Sequence, residues 1–232
     1  MRIQVLNDPD AVAAAAAKII IAEARTAIAA RGNFLLAVSG GHTPWEMLRQ
    51  LATHELPWSS VYLFQVDERV APSGDPDRNL THLRDSLLPQ APLLADRIQA
   101  MPVEADDLHS AVQSYSRALQ QIAGVPPILD LAHLGLGPDG HTASLVPADP
   151  VLQVSDQDVA LTRPYQGRRR MTLTYPVLNR SRRILWLVTG REKCDMLRRL
   201  LLGDTSIPAG RIQRENVIVL ADRAAAERID QL

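Results

Sequence analysis

Short, almost wholly apolar runs alternate with helix-length segments along this chain, and that alternation restricts the fold more than any other feature. The clearest runs are Phe34–Val38, Val61–Val66, Leu131–Leu136 and Ile184–Thr189; Ile3–Leu6, Val159–Leu161, Met171–Tyr175 and Val217–Leu220 are further strand candidates. The run Ile184–Thr189 (Ile-Leu-Trp-Leu-Val-Thr) lacks polar alternation, as expected of a strand covered on both faces. Asp8 and Pro9 read as the N-cap and first position of a helix that continues to Arg31 and stops at Gly32. Further helices are expected at Pro44–Leu51, Asn79–Leu88, Ala105–Ile122 (ending at Gly124) and Glu192–Leu202, with a last one from Asp222. The pattern predicts an α/β protein: a Rossmann-like, doubly wound, mostly parallel sheet with helices on both faces. The Pro-, Gly- and Asp-rich stretches Ala71–Asp77 and Asp149–Gly167 do not resemble interdomain linkers, so residues 1–232 are expected to form a single domain.

Composition narrows the partners. Twenty-five Lys plus Arg against 26 Asp plus Glu leave a formal charge of −1, which gives no global electrostatic reason to bind nucleic acid or an anionic membrane. The lone cysteine, Cys194, cannot form an intrachain disulfide, which fits a reducing compartment. The start Met1-Arg2-Ile3-Gln4-Val5 has no signal-peptide pattern, and the apolar stretch Ala11–Ile21 is alanine-rich and broken by Lys18. A soluble, cytoplasmic protein is expected. The oligomeric state is not legible in the sequence, and a monomer is the default.

In doubly wound sheets, ligands bind beyond the carboxyl ends of the strands. After Val38 comes Ser39-Gly40-Gly41-His42-Thr43-Pro44: two glycines that let backbone approach a ligand, hydroxyls, and a proline that begins a helix. Backbone N–H groups at a helix N-terminus can cradle phosphate, although a tight turn needing glycine reads equally well. After Val66 comes Asp67-Glu68-Arg69, charges that cost desolvation beside a buried strand unless they are paired or used on a ligand. After Leu136 comes Gly137-Pro138-Asp139-Gly140-His141-Thr142-Ala143-Ser144, where His141 sits in a glycine-framed loop with Asp139 near enough to orient it. After Thr189 comes Gly190-Arg191-Glu192-Lys193; Lys193 and Arg170 are candidate phosphate cations, whereas Arg168 and Arg169 read as a solvated basic patch. His54, His82, His109 and His133 read as surface or core residues. A serine-hydrolase Gly-x-Ser-x-Gly elbow is absent, and no HExxH, paired cysteine or clustered histidine spacing points to a metal.

Together these loops resemble the 6-phosphogluconolactonase family, within the superfamily that includes glucosamine-6-phosphate deaminases. The resemblance rests on Ser39–Pro44, Val66–Pro72, Gly135–Pro147, Arg170–Asn179, Thr189-Gly190 with Lys193, and the tail segments Ile207–Ala209 and Leu220–Asp222. The Asp139-Gly140-His141-Thr142-Ala143-Ser144-Leu145 segment is its most specific part. Two departures stand out: Asp77-Arg78-Asn79 where the family usually has Asp-Ser-Asn, and Val146 where phenylalanine is common.

The resemblance implies hydrolysis of 6-phospho-D-glucono-1,5-lactone to 6-phosphogluconate, with neither metal nor organic cofactor. Its substrate, a small sugar-phosphate lactone, would be gripped at the phosphate by Ser39, Gly40, Gly41, His42 and Thr43 with Arg170 and Lys193. His141 would act as general base, ordered by Asp139 or a loop carbonyl; an imidazole of ordinary pKa, about 6.5, is mostly neutral in the cytosol. Asp67 is expected at the sugar end, and Arg69 at either the lactone carbonyl or the phosphate. Two rivals remain. A deaminase of the same superfamily would carry Ile-Ala-Phe-Asn-Glu-Pro after the Asp-Gly-His triplet, whereas this chain has Thr142-Ala143-Ser144-Leu145-Val146-Pro147. A non-catalytic sugar-phosphate sensor would need a DNA-reading element, for which the alanine-rich first helix is unsuited.

Overall fold

Each of the clearest apolar runs becomes a strand of one sheet. The computed structural model describes residues 1–229, in which β1 (Arg2–Leu6), β2 (Phe34–Val38), β3 (Val61–Gln65), β5 (Ile98–Gln99), β6 (Leu131–Gly135), β9 (Ile184–Val188) and β10 (Val217–Asp222) form a seven-stranded sheet. Its order is β1-β10-β9-β6-β2-β3-β5, and every pairing is parallel. The chain winds outward from β2 toward β5, then returns to place β6 on the other side of β2. The carboxyl ends of β2 and β6 therefore flank the topological switch point, where a doubly wound sheet opens a crevice.

Successive residues of the central strands feed two separate cores, as the pleat requires. Leu36, Leu63, Leu131 and Leu185 face α1 (Pro9–Arg31), α2 (His42–Ala52) and α3 (Asn79–Leu87). Ala37, Phe64, Ala132 and Trp186 face α4 (Leu108–Ala123), α5 (Tyr175–Arg180) and α6 (Cys194–Leu202). The α1 termini follow the residues that announce them. Asp8 accepts a hydrogen bond from the Ala11 N–H, and Gly32, at φ 79°, closes the helix on the Ile28 carbonyl.

Several expectations need correction. Asp67–Arg69, expected only as a charged segment beyond the end of a strand, is itself a strand, β4, in a second, antiparallel sheet of order β4-β8-β7 with β8 (Arg170–Leu173) and β7 (Val159–Leu161). The expected strand Met171–Tyr175 is β8 shifted toward Arg170; Tyr175 instead opens α5, with Pro176 in its first turn. The helix expected from Asp222 is absent among the described residues. Asp222 ends β10, its carboxylate accepts from the Ala225 N–H, and residues 223–229 run through turns. Lys193 lies not in an α-helix but on a 3-10 turn, Arg191–Lys193, that precedes α6. No helix among the described residues is long and apolar enough to cross a membrane.

Candidate active site

The loops after β2, β6 and β9, together with the small sheet, enclose a cleft of about 310 Å³ at the switch point. Ser39, Gly40, Gly41, His42, Thr43, Asp67, Arg69, His141, Arg170 and Lys193 all line it; Asp139 alone of the expected site residues stands outside the lining, behind His141. Asn79, Thr189 and Glu192 join them.

One wall gathers cationic side chains and the start of a helix. The α2 helix begins at His42 after Gly41, whose φ of 131° suits glycine, so its first N–H groups have no partner within the helix. The Thr43 and Thr189 hydroxyls meet at 2.9 Å and tie this helix start to the end of β9. The small sheet sets Arg69 directly opposite Arg170. Arg170 is 4% exposed, and its Nε has no hydrogen-bond partner among the described residues. Burial lowers the pKa values of both Arg170 and Lys193, partly offset by Asp67 for the arginine and Glu192 for the lysine.

The opposite wall carries the imidazole. The His141 Nδ1 and the Asp139 Oδ1 are 2.6 Å apart, and the His141 backbone N–H also donates to that oxygen at 3.1 Å. Burial tends to raise the Asp139 carboxyl, but His141 and the Tyr165 hydroxyl outweigh it and hold the group below the usual carboxylate value. An ionised Asp139 accepts the Nδ1 proton and fixes the tautomer whose Nε2 carries the lone pair. Gly137 makes this placement possible: a Cβ there would lie 2.1 Å from the His141 Nδ1.

The sequence did not expose the scaffold beneath these groups. Asp67, 4% exposed, accepts from the Ser144 hydroxyl at 2.5 Å, and the Asn79 amide donates to the Asp67 carbonyl at 3.0 Å. The Asn79 Oδ1 in turn accepts from Arg69 at 2.7 Å. Glu68 is fully buried and accepts from the backbone N–H groups of Arg69, Asn79 and Leu80 and from the Gln65 amide, each at 2.8 Å, thereby capping α3. Arg78, where the family usually has serine, is 2% exposed; it pairs with Glu68 at 3.3 Å and bonds the Glu104 carboxylate and the Ala71 carbonyl. It is thus part of the support and lies outside the cleft lining. Arg168, expected as a solvated cation, pairs with Asp75 and Asp77. His133 is a core residue whose Nδ1 accepts from the Ser39 N–H at 3.2 Å; burial pushes its pKa down to about 3. The only sequence cue to this scaffold was charge placed beside a buried strand.

The sequence pattern of the family described as glucosamine-6-phosphate isomerases/6-phosphogluconolactonase matches residues 7–220. A 6-phosphogluconolactonase of Mycobacterium tuberculosis is 36% identical over 241 residues, covering 98% of each chain. The crystal structure of a 6-phosphogluconolactonase from Thermotoga maritima superposes with a TM-score of 0.86 at 26% identity, covering 95% of this chain and 98% of the other. A monomeric glucosamine-6-phosphate deaminase also superposes, with a TM-score of 0.85 at 21% identity over 98% of this chain and 99% of that one, and shares the fold. Fold alone therefore does not separate the two chemistries. With most of its length matched by the family pattern and a full-length relative above one-third identity, the chain belongs to the glucosamine-6-phosphate isomerase/6-phosphogluconolactonase family.

Proposed function

We propose that this chain hydrolyses 6-phospho-D-glucono-1,5-lactone to 6-phosphogluconate, as a single-domain cytoplasmic enzyme that needs no cofactor. The carrying observation is the His141–Asp139 pair at 2.6 Å on the wall of a cleft that also holds Arg69, Arg170 and Lys193. A δ-lactone is an activated ester, so the work left to the protein is to orient water, stabilise an oxyanion and grip the phosphate. The N–H groups of the Ser39–Thr43 turn, Arg170 and Lys193 take the phosphate dianion. Asp67, held by Ser144 and Asn79, orders the sugar hydroxyls.

The His141 Nε2 accepts a proton from water as the water oxygen bonds to C1. The carbonyl π electrons move onto the carbonyl oxygen, which Arg69 or a loop N–H stabilises. Collapse of the adduct breaks the bond between C1 and the ring oxygen, and the imidazolium returns its proton to that oxygen. The new carboxylic acid then ionises in solution. The deaminase reading is weaker because the position of its glutamate is occupied by Val146, an apolar side chain 3% exposed.

The test is a base-consumption assay on freshly made lactone, with spontaneous hydrolysis as the reference. His141→Asn is expected to lose at least ~100-fold in kcat while still binding 6-phosphogluconate. A His141→Asn protein retaining most of its turnover would sink the mechanism and reopen the search for the base at Asp67. Glu68, the other carboxylate in that segment, is already committed to capping α3.

A further inference from the structure

The segment between β7 and β8 contains a tight hairpin whose tip touches both halves of the site. Tyr165 and Arg168 form an isolated antiparallel bridge, with N–H to carbonyl bonds in both directions at 2.9 and 3.3 Å. The residues between them, Gln166 and Gly167, have φ values of 51° and 82°, the left-handed pair that a two-residue hairpin requires. Ion pairs from Arg168 to Asp75 and Asp77 anchor the hairpin to the loop before α3.

The Tyr165 hydroxyl donates to the Asp139 Oδ2 at 2.8 Å, while the Oδ1 of the same carboxylate holds His141. The Tyr165 ring meets the imidazole edge-on, with centroids 5.6 Å apart at 67°. Its face lies 4.9 Å from the Arg170 guanidinium carbon, and the neighbouring Gln166 Oε1 accepts from the Arg170 Nη2 at 3.1 Å. One exposed hairpin tip thus contacts the carboxylate that orients the imidazole and the most deeply buried cation of the opposite wall.

We infer that Tyr165 is a positioning residue that sets the His141–Asp139 pair through its hydroxyl and holds Arg170 through its ring. The inference rests on the reading of His141 as the base. Without the phenol, the Asp139 Oδ2 loses its donor, the carboxylate is freer to turn, and its charge is expressed more fully toward the ring. The imidazolium is then favoured, and the base is lost at a higher pH than in the parent. Asp139 and Tyr165 face the imidazole directly. Arg170 and Lys193 act on Asp139 from the other wall, with Asp67 and Arg69 beyond Arg170. None of these charges changes in Tyr165→Phe, so a shift in that variant reports the hydroxyl.

The experiment compares the parent with Tyr165→Phe, Tyr165→Leu and His141→Asn, recording kcat and KM against pH for 6-phosphogluconolactone and for unphosphorylated gluconolactone. Tyr165→Phe is expected to move the acid limb of the kcat profile upward by about half a pH unit or more, with KM within about twofold of the parent. Tyr165→Leu is expected to show the same shift and, in addition, a KM about three- to tenfold higher for the phosphorylated lactone only. An unmoved acid limb in Tyr165→Phe, with His141→Asn inactive, would overturn the role of Tyr165 and leave the base in place. A His141→Asn protein that keeps its turnover and its acid limb would instead overturn the reading on which this inference rests.

Discussion

Replacing Gly137 with alanine tests the placement of the imidazole without altering any group that reacts. The backbone at Gly137 is not in the left-handed region, so alanine adds no conformational strain there. Its Cβ, however, would lie 2.1 Å from the His141 Nδ1, 2.3 Å from Cε1 and 2.7 Å from Cγ. Ordinary contact needs roughly 3.5–4 Å, so the ring must retreat by more than about 1 Å. Such a retreat breaks the 2.6 Å bond to Asp139. Displacing a catalytic group by this much costs about 100-fold, or about 2.7 kcal/mol in the barrier. Stability should change little. Losing one hydrogen bond costs about 0.5–1.5 kcal/mol, and the stiffer unfolded chain of a Gly→Ala variant returns about 0.4–1 kcal/mol. The base-consumption assay should therefore show kcat reduced about 100-fold, with KM for the phosphorylated lactone and the melting temperature close to the parent's. A kcat within about threefold of the parent would refute the argument that this ring position matters.

Three further outcomes follow from the same geometry. Lys193→Ala should raise KM for the phosphorylated lactone about 10- to 100-fold and remove the preference over gluconolactone, and an unchanged preference would take Lys193 out of the site. Burial depresses the His133 pKa to about 3, so the unfolded chain binds the extra proton first; stability is complete above the unfolded value of about 6.5 and declines toward pH 3, by about 2 kcal/mol at pH 5. Urea midpoints at pH 7 and pH 5 check this, and an equally steep decline in His133→Gln would assign the effect elsewhere. Arg78→Ser should cost about 1–3 kcal/mol, less than for a bare buried pair, because Glu68 keeps its N–H donors; a melting curve like the parent's would show that the pair adds nothing.

What was legible in the sequence is what local chemistry decides. The α1 caps, the parallel strands and the glycine-bearing loops each rest on residues a few positions apart, where propensity and patterning act. What was not legible is pairing across long separations. Asp67–Arg69 has no apolar alternation, and it is a strand only because β8, about a hundred residues later, pairs with it and sets Arg69 opposite Arg170. The helix Tyr175–Arg180 was within reach, since Thr174 and Pro176 form a start signal, but the preceding apolar run concealed it. The end of β10 misled for a different reason. Asp222 has the composition of an N-cap, yet its carboxylate accepts from the Gly190 N–H as well as the Ala225 N–H, so it braces the loop that carries Lys193.

The glycines make the same point about the site itself. In a sequence, glycine beside a strand end suggests backbone that bends or backbone that a ligand approaches. Gly41, at φ 131°, does serve the turn. Gly40 and Gly137 meet a further demand: both lack a left-handed φ, and the atoms that crowd them belong to Asn79 and His141 of the same chain. A Cβ at Gly40 would fall 1.9 Å from the Asn79 Oδ1, the atom that accepts from Arg69, just as one at Gly137 would strike the imidazole. These two glycines therefore act as recesses that seat side chains arriving from α3 and from the far end of their own loop. Their value lies in the positions of Arg69 and His141, so substitution at either should be read in turnover before it is read in stability.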